Sequence, residues 1–145
     1  RGTLERQPGH VIDIMATCVD VAGMEFPTTH AGHELIGLEG VSLKPALSGK
    51  SLERTDALYF EHHLNCAVRD GDWKLVRSNS RYNKGAWQLY NIAQDRCETN
   101  DLMKSFPDKA KKLQKEWTDW AVRVKVSPYF KPAPSKGKGK SPKKK

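Results

Sequence analysis

The stretch Leu58-Tyr59-Phe60-Glu61-His62-His63-Leu64-Asn65-Cys66-Ala67-Val68-Arg69-Asp70-Gly71-Asp72-Trp73-Lys74-Leu75-Val76 decides the fold. Ala57–His62 and Cys66–Arg69 are rich in aromatic and β-branched residues and predict two strands. Asp70-Gly71 is a strong hairpin signal, because both central residues of a primed turn take positive φ. Trp73–Arg77 alternates and should pair back on Cys66–Arg69. Trp87–Ile92 alternates again, so the segment reads as an antiparallel sheet of about four strands, with one apolar face that needs a cover.

The cover is legible downstream. Ser105-Phe106-Pro107-Asp108 offers a cap, an early proline and an early acid, all features of a helix start. Ala110, Leu113, Trp117, Trp120 and Val124 then recur at three- and four-residue steps among lysines. This predicts an amphipathic helix over Pro107–Val124 with its tryptophan stripe on the sheet. The fold class is therefore α+β.

Upstream, Val11–Ala22 carries a broad apolar face of Val11, Ile12, Ile14, Met15, Cys18, Val19 and Val21, with Asp13, Thr17 and Asp20 off it. It predicts a mostly buried helix, bounded by Pro8-Gly9 and Gly23, whose apolar surface belongs against something larger than the small sheet. Residues 24–41 read as a loop, and Ser42–Leu47 as a short helical turn. The expected divisions are 1–23, a helix from the end of a larger domain; 24–56, a connection; 57–126, the sheet-and-helix subdomain; and 127–145, a disordered tail.

Charge points the same way. The chain of 145 residues carries +8, of which +7 lies on Lys131, Lys136, Lys138, Lys140, Lys143, Lys144 and Lys145, leaving +1 for the 130 residues before them. The basicity belongs to the tail, which can hold polyanions non-specifically or be only a solvated end. No apolar run approaches the roughly 20 residues needed to span a bilayer. The chain starts at Arg1 with no charged-then-apolar leader, so a signal peptide is expected to be absent or removed. Cys18, Cys66 and Cys97 are too few for a disulfide framework and lack CxxC spacing. Cys18 is expected to be buried, and Cys66 could pair with Cys97 only if the fold brings them together.

Several motifs, in order, resemble the C-terminal portion of sulfatases, the arylsulfatase family of the alkaline phosphatase-like superfamily. They are Pro8-Gly9-His10-Val11-Ile12-Asp13-Ile14 with Val19–Gly23; Glu39-Gly40-Val41-Ser42-Leu43 with Pro45–Gly49; Tyr59-Phe60-Glu61-His62; Ala67-Val68-Arg69; Gly71–Val76; and Trp87–Ile92 followed by Asp95, Glu98 and Asp101-Leu102. The resemblance implies a parent hydrolase of sulfate esters, periplasmic or secreted, with a calcium ion and a formylglycine made from the Cys or Ser of a Cys/Ser-x-Pro-x-Arg motif. No cysteine or serine here has proline two residues on and arginine four on. No catalytic residue and no metal ligand is therefore expected in this segment. The upstream catalytic domain of the same polypeptide would be its partner, and the segment alone would be inactive.

The resemblance also implies that the hairpin end faces the substrate pocket. Glu61, His62, His63 and Asn65 sit where one strand runs out, and His10 precedes a helix. These five residues are the substrate-binding candidates, against the simpler reading that they solvate chain ends. His30 and His33 lie three apart but have no third ligand at matching spacing. Arg69 and Lys74 could bind an anion or pair with Asp70 and Asp72. Two rival functions remain: a non-catalytic module that grips polyanions through its tail, and a degenerate sulfatase relative that has lost the chemistry.

Overall fold

A computed structural model describes residues 2, 4–79 and 85–126. It divides into two compact units, Arg1–Asp56 and Ala57–Lys145. The tail expected to be disordered, 127–145, lies outside the described residues.

The first unit holds helix α1 (Asp13–Val21), a hairpin of two-residue strands β1 (Thr29–His30) and β2 (His33–Glu34), and a single helical turn α2 (Lys44–Leu47). The hairpin falls where a loop was expected. Its two central residues, Ala31 (φ 50°) and Gly32 (φ 81°), both take the positive φ of a primed turn. Strands of two residues leave no periodicity to read.

Helix α1, expected to be mostly buried, is largely exposed within this chain, its apolar surface being the one expected against something larger. Its one buried residue is Asp13, while Val11, Ile14, Met15 and Val21 are all more than half exposed. Cys18 is exposed too. Asp13, Thr17 and Asp20 fall four and three residues apart, on one face of the helix, and that polar face makes the contacts within the unit. Asp13 accepts from the amides of His10 (2.7 Å) and Val41 (3.0 Å). The Thr17 hydroxyl accepts from the Leu43 amide (2.9 Å), and Asp20 accepts from the Ser42 hydroxyl (2.6 Å) and the Lys44 ammonium (3.0 Å). Gly40 permits the approach, since a Cβ there would lie 2.2 Å from the Ile12 carbonyl oxygen.

The second unit is a four-stranded antiparallel sheet in the order β3 (Leu58–His62), β4 (Asn65–Asp70), β5 (Trp73–Arg77), β6 (Trp87–Asn91), crossed by helix α3 (Pro107–Arg123). This is the predicted architecture. Val68 lies opposite Leu75 and Leu75 opposite Leu89, which puts these fully buried residues in one row across the sheet. Against the row pack Ala110, Leu113, Trp117 and Ala121 of α3. The buried stripe ends on Ala121, not on Val124, which is exposed; Trp120 lies half-buried and stacks on Tyr59 with centroids 5.2 Å apart. The Trp117 indole N–H donates to the Phe60 carbonyl (3.0 Å), which ties the helix to the edge strand. Residue Phe106, not Ser105, stands at the N-cap position, and no side chain caps the helix. Asp108 in its first turn and Arg123 in its last complement the helix dipole.

The loop after β6 is pinned by two carboxylates. Asp95 accepts from the amides of Thr99 and Asn100, both at 2.8 Å, and Asp101 accepts from those of Leu89 and Met103. The Asn100 amide, then other bonds from Thr99 and Cys97, outweigh slight desolvation and hold Asp95 below the usual carboxylate range.

Candidate functional site

The β3–β4 turn gathers four of the five sequence candidates on one hairpin end. His62 lies opposite Asn65 in the ladder, and His63 and Leu64 form the two-residue turn. Both turn residues have positive φ, 48° and 66°. Neither is glycine or asparagine, the residues that usually tolerate that region. Such strain persists only where the surroundings over-determine it.

The surroundings here are the other two candidates. The Glu61 carboxylate accepts from the Leu64 amide (2.9 Å). The Asn65 side-chain amide donates to the His62 carbonyl (2.9 Å), and its oxygen accepts from the Asn79 amide (2.8 Å). Glu61 and Asn65 therefore each lend hydrogen bonds that hold the turn. The rings of His62 and His63 meet edge to face, with centroids 4.3 Å apart, and both residues are exposed. The structure splits the four into two struts and two presented imidazoles. An imidazole offers two ring nitrogens as donors or acceptors to an anionic or hydroxyl-bearing ligand.

His10 belongs to the first unit. Its backbone amide donates to Asp13, and its Nδ1 accepts from the Ile12 amide (3.3 Å), so one ring nitrogen is turned toward the helix start. Beside it is the unit's strongest polar contact, which the sequence reading missed. The Arg54 guanidinium reaches Asp13 at 2.5 Å, with side-chain exposures of 10% and 0%. Burial alone would raise the Asp13 carboxyl; the Arg54 hydrogen bond and the amides of His10 and Val41 outweigh it and hold the carboxyl below its ordinary range.

Other candidates resolve into structural roles. His30 and His33 face each other across the first-unit hairpin. Among the described residues, no three His, Cys, Asp or Glu side chains are placed to hold a metal ion. All three cysteines are free thiols. Burial pushes the Cys66 thiol up, despite the nearby Arg77 guanidinium. Arg69 donates to the Gly71 carbonyl (3.0 Å), and Lys74 pairs with Glu98, so neither takes the pairing with Asp70 or Asp72. Asp70 is matched instead with Lys112 (3.5 Å).

With this geometry in view, the likenesses to known proteins are informative. No protein-family model matches the chain. An uncharacterized sulfatase of Schizosaccharomyces pombe is 32% identical over 123 residues, covering 80% of this chain and 22% of the relative. The structure of BT4656 in complex with its substrate D-glucosamine-2-N,6-O-disulfate aligns with TM-score 0.55 and 23% identity, over 83% of this chain and 25% of that one. Ps i-CgsB in complex with k-i-k-neocarrahexaose aligns with TM-score 0.59 and 22% identity, over 81% and 29%. The chain thus spans between a fifth and a third of the length of the proteins it matches.

Proposed function

This chain is a relative of the sulfatases, in the alkaline phosphatase-like superfamily, and on that premise we propose that it is the C-terminal portion of a sulfuric ester hydrolase, lending one wall of the substrate pocket while the bond-breaking groups lie upstream. The observation that carries this reading is the exposure of helix α1. Its polar face is spent within the unit, and its apolar face, Val11, Ile14, Met15 and Val21, is left uncovered. Large uncovered apolar patches mark surfaces made to be buried. A chain as long as the aligned structures, of which this one spans 25%, would carry ample further surface to cover that face. The arylsulfatase chemistry, its calcium and its formylglycine belong to that remainder.

In this role the presented imidazoles of His62 and His63 contact the organic half of the sulfate ester, and Glu61 and Asn65 fix the turn that carries them. His10 is a further pocket candidate. Two proteins of similar fold, one in complex with a disulfated glucosamine and the other with a neocarrahexaose, support a sulfated saccharide as the substrate class. The chain's contribution is positioning, which affects binding and alignment before it affects chemistry.

The test is kinetic and uses the complete parent enzyme. His62→Ala and His63→Ala are each expected to raise KM for a sulfated disaccharide by roughly 2- to 10-fold, the loss of a hydrogen bond to the uncharged half of the ester, with a smaller change in kcat. Unchanged kinetics in both variants would remove the hairpin end from the pocket.

A further inference from the structure

A second surface in the sheet unit has the chemistry of a ligand site, and it is independent of the hairpin end. An open groove of about 550 Å³ is lined by Trp73, Asn91, Gln94, Asp95, Thr99, Asn100, Leu102 and Phe106. It sits where β5 begins and β6 ends, since Trp73 lies opposite Asn91. The hairpin end belongs to the other end of the strands, because Cys66, next to Asn65, lies opposite Arg77. Five residues of β5 separate the two ends by about 13 Å at the usual rise.

The lining divides by chemistry. Trp73, Leu102 and Phe106 supply an apolar corner. The rings of Trp73 and Phe106 meet with centroids 5.0 Å apart at 61°, so they form an angled corner and not a parallel-sided slot. The Lys109 ammonium lies 5.8 Å from the Trp73 ring centre. Among the polar groups, the Asp95 carboxylate is taken up by the Thr99 and Asn100 amides and the Thr99 hydroxyl, and the Asn91 oxygen accepts from Ala93. The side-chain amides of Gln94 and Asn100 have no such engagement among the described residues and are exposed on the rim. The backbone of the loop that carries them is braced by Asp95 and Asp101.

We infer that this groove holds a neutral pyranose unit of an oligosaccharide. A sugar chair has apolar C–H faces that pack on aromatic carbon, and a rim of hydroxyls that pair with planar amides. An anion would meet the Asp95 carboxylate among the lining residues, and the nearby Lys109 ammonium lies over the Trp73 ring. The volume lies within the range of small-molecule sites. The groove lets the chain keep hold of a saccharide strand away from the hairpin end, and this does not rest on the sulfatase reading.

The test is an NMR titration of the full chain with cellotetraose and agarotetraose, two neutral tetrasaccharides, and with adenosine monophosphate as a rival. The inference expects one or both sugars to shift the Trp73 indole and the Gln94 and Asn100 side-chain amide signals saturably, with Kd around 1 mM, an affinity of about 4 kcal/mol. The double variant Gln94→Ala/Asn100→Ala, altered only at exposed positions, is expected to bind about tenfold more weakly. Gln114→Ala, at an exposed position of α3 that does not line the groove, is expected to bind as the unaltered chain does. Trp73→Phe gives a second reading, since it keeps an aromatic surface and should retain weakened binding. The inference is overturned if neither sugar moves those signals, if only the nucleotide does, or if the double variant binds undiminished.

Discussion

Replacing Arg54 with alanine should unfold the first unit while leaving the sheet unit intact. Asp13 is fully buried, and its carboxylate is matched by one guanidinium and two backbone amides. Removing the guanidinium leaves a buried charge without its counter-ion, which costs about 3–5 kcal/mol. The pair itself is a smaller asset than that loss, because Arg54 Nε is buried with no hydrogen-bond partner among the described residues. The double variant Asp13→Asn/Arg54→Met should therefore be less damaged than Arg54→Ala. Amide hydrogen exchange in the full chain checks both, with helix α1 and Val41 losing protection and the sheet amides keeping it. The pH dependence follows from the same group. The Asp13 carboxyl is held below its ordinary range when folded. Its contribution is then complete above the unfolded value of about 3.9, and it is lost as pH falls from there through the folded value. First-unit protection should fade with acid over that window, and Asp13→Asn should flatten the response.

The second large effect is expected from Trp117→Ala. This indole is fully buried at the centre of the sheet–helix core, meets Trp87 edge to face with centroids 5.7 Å apart, and donates to the Phe60 carbonyl. Truncation removes apolar contact, opens a cavity and strips the Phe60 carbonyl of a donor. The first two alone cost about 3–5 kcal/mol, a large share of the stability of any domain this size. Denaturant titration should show the midpoint of the sheet unit's transition displaced far to lower denaturant. Trp120→Ala is the comparison. Trp120 is only half-buried and stacked on Tyr59, so its loss should be smaller by about 1–2 kcal/mol. Equal losses from the two would contradict the core as described.

These two sites differ in how far the sequence reveals them. The Trp117 stripe follows helical spacing, and the strands it covers alternate between a clear turn at Asp70-Gly71 and a second alternating run at Trp87. Local pattern and tertiary packing agree there, so the sheet, its order and its covering helix are all legible. The ion pair of Asp13 with Arg54 joins residues 41 positions apart, and no local signal announces it. Periodicity shows that Val11–Ala22 has an apolar and a polar face. It does not show which one the chain itself covers. Within this chain the polar face is the covered one, because Asp13, Thr17 and Asp20 all find partners between Val41 and Arg54.

The hairpin end is half legible in the same sense. Two strand-like runs flanking Glu61–Asn65 announce a turn rich in polar groups. A turn with histidine and leucine at positive φ runs against residue preference, so nothing local predicts its shape. The hydrogen bonds of Glu61 and Asn65 are what hold it. The groove at Trp73 escapes sequence reading for a different reason. Its members come from β5, from the loop after β6 and from the start of α3, and only the folded sheet brings them together.

The most direct measurement of the central claim is sulfate release from 4-nitrophenyl sulfate, run side by side on the complete parent polypeptide and on the 145-residue chain alone. The account predicts turnover by the parent and none by the chain. Release of sulfate by the isolated chain, or an intact parent with no turnover on this or any sulfated saccharide, would contradict it.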